Sequence, residues 1–174
     1  MGRSSAHARV RSRLAAATIL AISAIPLLAS SAAAADLRGS VGLTAVLNGR
    51  SVELAAVARL HCQDLSFPVI RCFDTDAELD ASLASEALLA GVAYVKVFDF
   101  AGYGGASMVV SEDYPVLATL GWNDRISSFK ALNSETGAFH IDWFYGGTTW
   151  SFCCNQTLAS LGAYDNSFSS VRRT

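Results

Sequence analysis

Two short runs hold the residues best suited to chemistry. Asn123-Asp124-Arg125-Ile126-Ser127-Ser128 returns later in the chain as Asp165-Asn166-Ser167-Phe168-Ser169-Ser170. Each run offers amide, carboxylate and hydroxyl oxygens close together in sequence. Such hard oxygen donors in two related loops are the raw material of a calcium site. The offset from Asn123 to Asp165 also links Gly104-Gly105 to Gly146-Gly147, Tyr103 to Tyr145 and Trp122 to Tyr164. A Gly-Gly turn followed at a fixed distance by an Asx-Asx-x-x-Ser-Ser loop thus occurs twice in register, the mark of one supersecondary unit present in two copies.

Other candidates for chemistry are weaker. No Gly-x-Ser-x-Gly, His-Glu-x-x-His or P-loop pattern occurs. His61 beside Cys62 reads as a helix-end residue that packs its ring. A Cys/His hydrolase needs an activated thiol, whereas an exported chain favours oxidised cysteine. Asp74, Asp76, Glu78 and Asp80 read as a solvated helix start that favours the helix dipole. Trp143, Phe144, Tyr145 and Trp150 form an aromatic cluster expected in the core, with a ligand-binding or carbohydrate-binding face as the minor option. Asn155-Gln156-Thr157 is a glycosylation sequon. The expectation is a protein that is not an enzyme.

These loops must be positioned by a fold, and the chain before it starts with a leader. Arg3, Arg9, Arg11 and Arg13 precede an apolar stretch from Leu14 to Leu28, and Ala32–Ala35 supplies small residues for cleavage before Asp36. Residues 1–35 therefore read as a signal peptide, too short in its apolar part for a membrane span. The mature chain, Asp36–Thr174, keeps nine of thirteen basic and all fifteen acidic residues, a formal charge of −6. That balance excludes a nucleic-acid partner and fits a secreted protein with no membrane role once the leader is removed. All four cysteines lie in the exported part, which favours two disulfides. Neighbours in a strand point to opposite faces, so Cys153 and Cys154 are expected to pair separately with Cys62 and Cys72. The other arrangement joins Cys62 to Cys72 and Cys153 to Cys154.

Residues 36–90 read as a small mixed α/β module. Asp36–Thr44 is an arm. Val46–Val52 is a hairpin about Asn48-Gly49. A short helix runs from Leu54 to His61, and Asp64–Pro68 is a turn. Thr75-Asp76-Ala77-Glu78 is a capping box opening a helix to about Ala90, with Leu79, Leu83, Ala87 and Leu88 on its buried face and Gly91 ending it. From Gly91 the period becomes two. Strands are expected at Tyr94–Phe98, Ala106–Val110, Ser128–Leu132, Ala138–Asp142, Thr148–Cys153 and Ser169–Arg172. The class is mainly β, an antiparallel sandwich.

Phe98-x₄-Tyr103-x-Gly105, with Ser128 later, resembles the Greek key signature of the βγ-crystallin family. The second copy fits as His140-x₄-Tyr145-x-Gly147, the register of the repeat, or one residue earlier as Phe139-x₄-Phe144-x-Gly146. The Asx-Asx-x-x-Ser-Ser loops resemble the microbial, calcium-binding branch of that family. The resemblance covers 91–174, with motif one at 91–132 and motif two at 138–174. It implies a two-Greek-key βγ-crystallin-like sandwich and calcium ligands at Asn123, Asp124, Ser127, Asp165, Asn166 and Ser169. Few of these are charged, which implies an affinity of about 10⁻⁵ to 10⁻³ M. The fold with a leader and disulfides also resembles small secreted inhibitors of microbial metalloproteinases, so an extracellular protease is the alternative partner.

Overall fold

The structure is a computed structural model that describes residues 42–174. The leader expected over residues 1–35 and most of the expected arm lie outside the described residues. Among the described residues, no helix is long and apolar enough to cross a membrane.

The first strands are β1 (Thr44–Leu47) and β2 (Arg50–Val52), an antiparallel hairpin whose turn places Asn48 at φ 50° and Gly49 at φ 76°. Two consecutive positive φ values are what a tight primed turn requires and what Asn-Gly supplies at least cost. A 3₁₀ helix over Leu54–Arg59 follows, then β3 (His61–Ser66) and β4 (Val69–Phe73). The expected turn over Asp64–Pro68 is corrected here. The chain stays in β3 through Ser66 and turns only at Phe67-Pro68. The polar letters of Gln63 and Asp64 hide a buried strand, because both side chains are 0% exposed and bonded to distant partners. His61 likewise opens β3 rather than closing the helix.

Helix α1 (Asp76–Ala90) begins as the capping box requires. Thr75 N–H donates to Glu78 Oε2 (3.0 Å), and Glu78 N–H donates to Thr75 Oγ1 (3.2 Å). Leu79 and Leu83 are buried against Tyr94 and Val109; the side chains of Ala87 and Leu88 lie outside the described residues. Gly91 follows at φ 56°, a left-handed stop.

The remaining strands are β5 (Tyr94–Phe100), β6 (Gly104–Val110), β7 (Ser128–Leu132), β8 (Gly137–His140), β9 (Thr149–Phe152), β10 (Thr157–Leu158) and β11 (Ser170–Arg173). They form an eight-stranded sheet in the order β10-β7-β5-β6-β3-β4-β1-β2 and a three-stranded sheet β11-β8-β9. The mainly β sandwich expected from the sequence is present. The two copies trade strands. Strand β10 of the second copy pairs with β7 of the first, and Tyr114 of the first copy bridges Val171 in β11 of the second. Between them lies a core that includes Phe129, Phe139, Phe152 and Phe168, with ring centroids 4.8–5.8 Å apart in the contacting pairs. Tyr94–Phe98 of β5 is buried on both faces, by this core and by α1, so its alternation is invisible in exposure.

Strand β3 pairs parallel with β6, with His61, Cys62 and Gln63 opposite Ser107, Met108 and Val109. Residues 42–90 are thus joined to the first Greek key through the sheet. The expected cysteine lock is corrected. Cys62 and Cys72, directly opposed in the β3–β4 hairpin, form a disulfide within that segment, and Cys153 and Cys154 are free and exposed.

Candidate metal centre

The two Asx-Asx-x-x-Ser-Ser loops face each other as a pseudo-twofold pair. Asp124 N–H donates to Phe168 O (2.9 Å), and Asn166 N–H donates to Ile126 O (3.1 Å), so that each bond is the repeat's copy of the other. Asp124 and Asn166 sit at φ 54° and 53°. Side chains other than glycine avoid that region, and Asx tolerates it best because it can bond its own backbone neighbourhood. The second Asx of each run is therefore a backbone requirement as well as an oxygen source.

The hydroxyls cross between loops. Ser127 Oγ donates to Asn166 Oδ1 at 3.2 Å, and Ser169 Oγ donates to Asp124 Oδ1 at 3.3 Å. Both serines are buried, at 3% and 5% exposure, while Asp124 and Asn166 are open to solvent. Four of the six expected ligands thus meet in two reciprocal pairs, each drawing on both loops. Asn123 and Asp165 flank them and contact their sequence neighbours. Asn123 Nδ2 donates to Asp124 Oδ2 (2.6 Å), and Asn166 Nδ2 donates to Asp165 Oδ2 (3.4 Å). The cation nearest in sequence is turned away, because Arg125 makes a bidentate pair with Asp99 (2.9 and 2.7 Å) and lies over the Trp122 ring.

The donor set suits calcium. All of it is oxygen, partly neutral, on loops rather than on a rigid cage. Oxygens 3.2–3.3 Å apart can share one ion whose ligand bonds run about 2.3–2.6 Å. Among the described residues, no group of three or more His, Cys, Asp or Glu side chains could hold a metal, so softer ions that need imidazole or thiolate are poorly served.

The hairpins that carry the loops obey the repeat register. Ser128 Oγ donates to Phe100 O (2.7 Å) and accepts from Tyr103 N–H (3.1 Å). One repeat on, Ser170 Oγ donates to Asp142 O (2.7 Å) and accepts from Tyr145 N–H (3.0 Å). Phe98 meets Tyr103 edge to face at 5.5 Å, and His140 meets Tyr145 the same way at 5.8 Å. The second copy therefore starts at His140, whose ring stands where the first copy has Phe98. Burial, aided by the nearby Arg172 charge, holds His140 below its usual pKa. Gly147, at φ 70°, cannot carry a side chain, since a Cβ there would lie 2.6 Å from Asp142 and Ile141.

The aromatic cluster is a correction. Trp143 is 45% exposed and Phe144 is 64% exposed, so neither belongs to the core. They occupy the folded tip of the second hairpin, where Phe144 and Tyr145 have φ 55° and 65° and strand alternation has ended. Sequence reasoning also missed a partner for loop one, the Trp143 indole N–H, which donates to Asn123 Oδ1 (2.9 Å).

The acidic run is a second correction. Asp76 and Asp80 grip Lys96 Nζ at 2.7 and 2.6 Å, and Lys96 is only 3% exposed. Ser107 Oγ also donates to Asp76 (2.6 Å). Burial alone would raise the Asp76 carboxyl, but hydrogen bonds from Lys96 and Ser107 and the Lys96 and His61 charges outweigh it and hold the group below its usual range. The sequence signal was available in retrospect, since Lys96 is a charge in the middle of the apolar run Tyr94–Phe98.

Solved structures similar to this chain are βγ-crystallin domains. An archaeal βγ-crystallin is 32% identical over 48% of this chain and 99% of its own, with a TM-score of 0.43. A βγ-crystallin domain from Flavobacterium johnsoniae is 26% identical over 46% of this chain and 92% of its own, with a TM-score of 0.41. A βγ-crystallin from Ciona intestinalis is 21% identical over 47% of this chain and 99% of its own, with a TM-score of 0.43. No family model and no curated protein matches the chain. The identity to the archaeal protein across its whole length shows that this chain belongs to the βγ-crystallin family.

Proposed function

We propose that the chain is a secreted, non-enzymatic βγ-crystallin-type protein that binds calcium through its paired loops, and that the ion tightens the fold. The observation that carries this reading is the reciprocal crossing of Ser127 to Asn166 and Ser169 to Asp124. Each pair joins residues far apart in the chain, so an ion held there clamps the two Greek keys together. Asn123, Asp124, Ser127, Asp165, Asn166 and Ser169 are the ligands. Calcium supplies a divalent charge that neutral and anionic oxygens share in a flexible shell. The serine hydroxyls, now donors to the opposite loop, turn their lone pairs inward.

Binding to the folded state alone adds about 2.7 kcal/mol of stability at a hundredfold excess over Kd. Calorimetric titration, with melting curves in calcium and in chelator, tests the reading. Heat of binding with a rise in Tm is expected; no heat and an unchanged Tm would overturn it.

A second reading, inhibition of an extracellular protease, draws support from the hairpin tips. Phe100, Trp143 and Phe144 are exposed there, on backbone fixed by Ser128 and Ser170. Rigid apolar anchors suit a protein partner. Assay against metallo- and serine proteases at micromolar inhibitor decides it, and failure to slow any of them removes it.

A further inference from the structure

We propose that Cys153 and Cys154 are a thiol–disulfide couple that closes as a bond between the two neighbouring residues. Three observations carry this. First, Cys62 and Cys72 are already joined, so the remaining cysteines have only each other within the chain. Second, the pair is not in a strand. Strand β9 ends at Phe152, and Cys154 and Asn155 follow at φ 59° and 65°. Two consecutive left-handed residues abolish the alternation that would send adjacent side chains to opposite faces. The neighbouring Cys153 thiol holds Cys154 above its usual range. Third, both residues are exposed, so a small oxidant reaches them.

Zinc is the competing chemistry for paired thiols. It needs about four protein ligands in a closed site, and among the described residues no cluster of three or more ligating side chains exists. A disulfide between copies is the competing linkage. Two thiols on adjacent residues react with each other at an effective concentration in the millimolar range or above, which outruns a second chain in dilute solution.

The exchange balances with a small disulfide such as glutathione disulfide as oxidant. One cysteine thiolate attacks it, forming a mixed disulfide and releasing glutathione. The neighbouring thiolate then displaces the second glutathione. One S–S bond forms in the protein and one breaks in the oxidant. The two glutathione molecules carry away two electrons and two protons.

The turn is wired to the connection between the Greek keys. Cys154 N–H donates to Glu135 O (3.0 Å), and Ser134 N–H donates to Asn155 Oδ1 (2.9 Å). Glu135 is 2% exposed and pairs with Arg173 at 2.8 Å. Ring closure reorients the Cys153–Cys154 peptide and therefore acts on that connection.

The test uses the protein purified without reductant, held in a glutathione redox buffer, alkylated and digested with trypsin. Cleavage after Lys130 and Arg172 releases residues 131–172, with both of these cysteines and neither of the other two. The expected peptide is unalkylated and lighter than the dithiol form by two hydrogens, from a chain that stays monomeric on a non-reducing gel. Two alkylated thiols, a link to the Cys62 or Cys72 peptides, or a disulfide-linked dimer overturns the proposal. Cys153→Ser gives a second arm. It removes the partner thiol that would resolve a mixed disulfide, so one glutathione per chain should accumulate on Cys154. A variant that carries no adduct shows an unreactive thiol and also overturns it.

Discussion

Trp143 donates its indole N–H to the side-chain oxygen of Asn123 across 2.9 Å, tying the second hairpin to the first loop. This oxygen is one that a cation would use. Replacing Trp143 by Phe keeps most of the apolar body and removes the donor. A hydrogen bond of this kind is worth about 0.5–1.5 kcal/mol net, so the apo protein should lose that much. Calcium should bind more tightly by roughly two- to tenfold, because nothing then competes for Asn123. Titration calorimetry on both proteins checks this, and weaker binding in Trp143→Phe would contradict the placement of Asn123 at the site.

Ser127 and Ser169 are equivalent by the repeat, so their alanine variants should behave alike. Each loses one crossing hydrogen bond and about 1 kcal/mol of apo stability. Each should also lose much of the calcium-dependent rise in Tm. A purely structural role predicts the first effect without the second. Melting curves of both variants, in calcium and in chelator, separate the two cases.

Asp64 gives a pH signature. Its carboxylate accepts from Ser111 N–H (2.7 Å) and from the Tyr114 hydroxyl (3.0 Å), yet burial outweighs both bonds and raises its pKa to about 6 from 3.8. A raised folded-state pKa means the contribution is fully present below the unfolded value and is lost as pH rises through about 6. Two units correspond to about 3 kcal/mol. Asp64→Asn should therefore be more stable than the wild type at pH 7 by about 1–3 kcal/mol and flatter between pH 4 and 6. His140, with a lowered pKa, slopes the other way just below its usual value, and the difference between the two proteins cancels it. Urea unfolding across pH measures the difference; parallel curves would refute the assignment.

Lys96 holds α1 to the sheet through Asp76 and Asp80. Lys96→Met keeps the apolar stem and leaves two partly exposed carboxylates without a cation. Removing one partner of a fully buried pair costs about 3–5 kcal/mol, and solvent around the acids reduces that. A loss of about 2 kcal/mol is expected, with faster amide exchange concentrated in α1. Uniform acceleration across the sheet would point to a different role.

What could be read beforehand is what chain spacing alone determines. The signature gave Ser128 to the first hairpin, and the repeat offset carries that bond from Tyr103 to Tyr145 and from Ser128 to Ser170, because each hairpin closes on its own later strand. The Thr75–Glu78 box is local in the same sense. The hidden parts depend on partners distant in sequence. Gln63 and Asp64 read as turn residues because Ser82, Ser111 and Tyr114, which satisfy them, arrive much later in the chain. The cysteine pairing failed on one assumption, that Cys153 and Cys154 continue a strand which ends at Phe152. The loops themselves were legible as oxygen clusters, but the Trp143 contact with Asn123 was not, since it comes from the opposite copy.

The parallel union of β3 with β6 has a bearing on how copies of this chain treat one another. It fills a flank of the first Greek key that would otherwise present a row of unpaired amides and carbonyls. The sheet then finishes at β10, with two residues, and at β2, with three. Neither is long enough to template a strand from a neighbouring molecule. Residues 42–90 thereby leave the eight-stranded sheet without a long open edge.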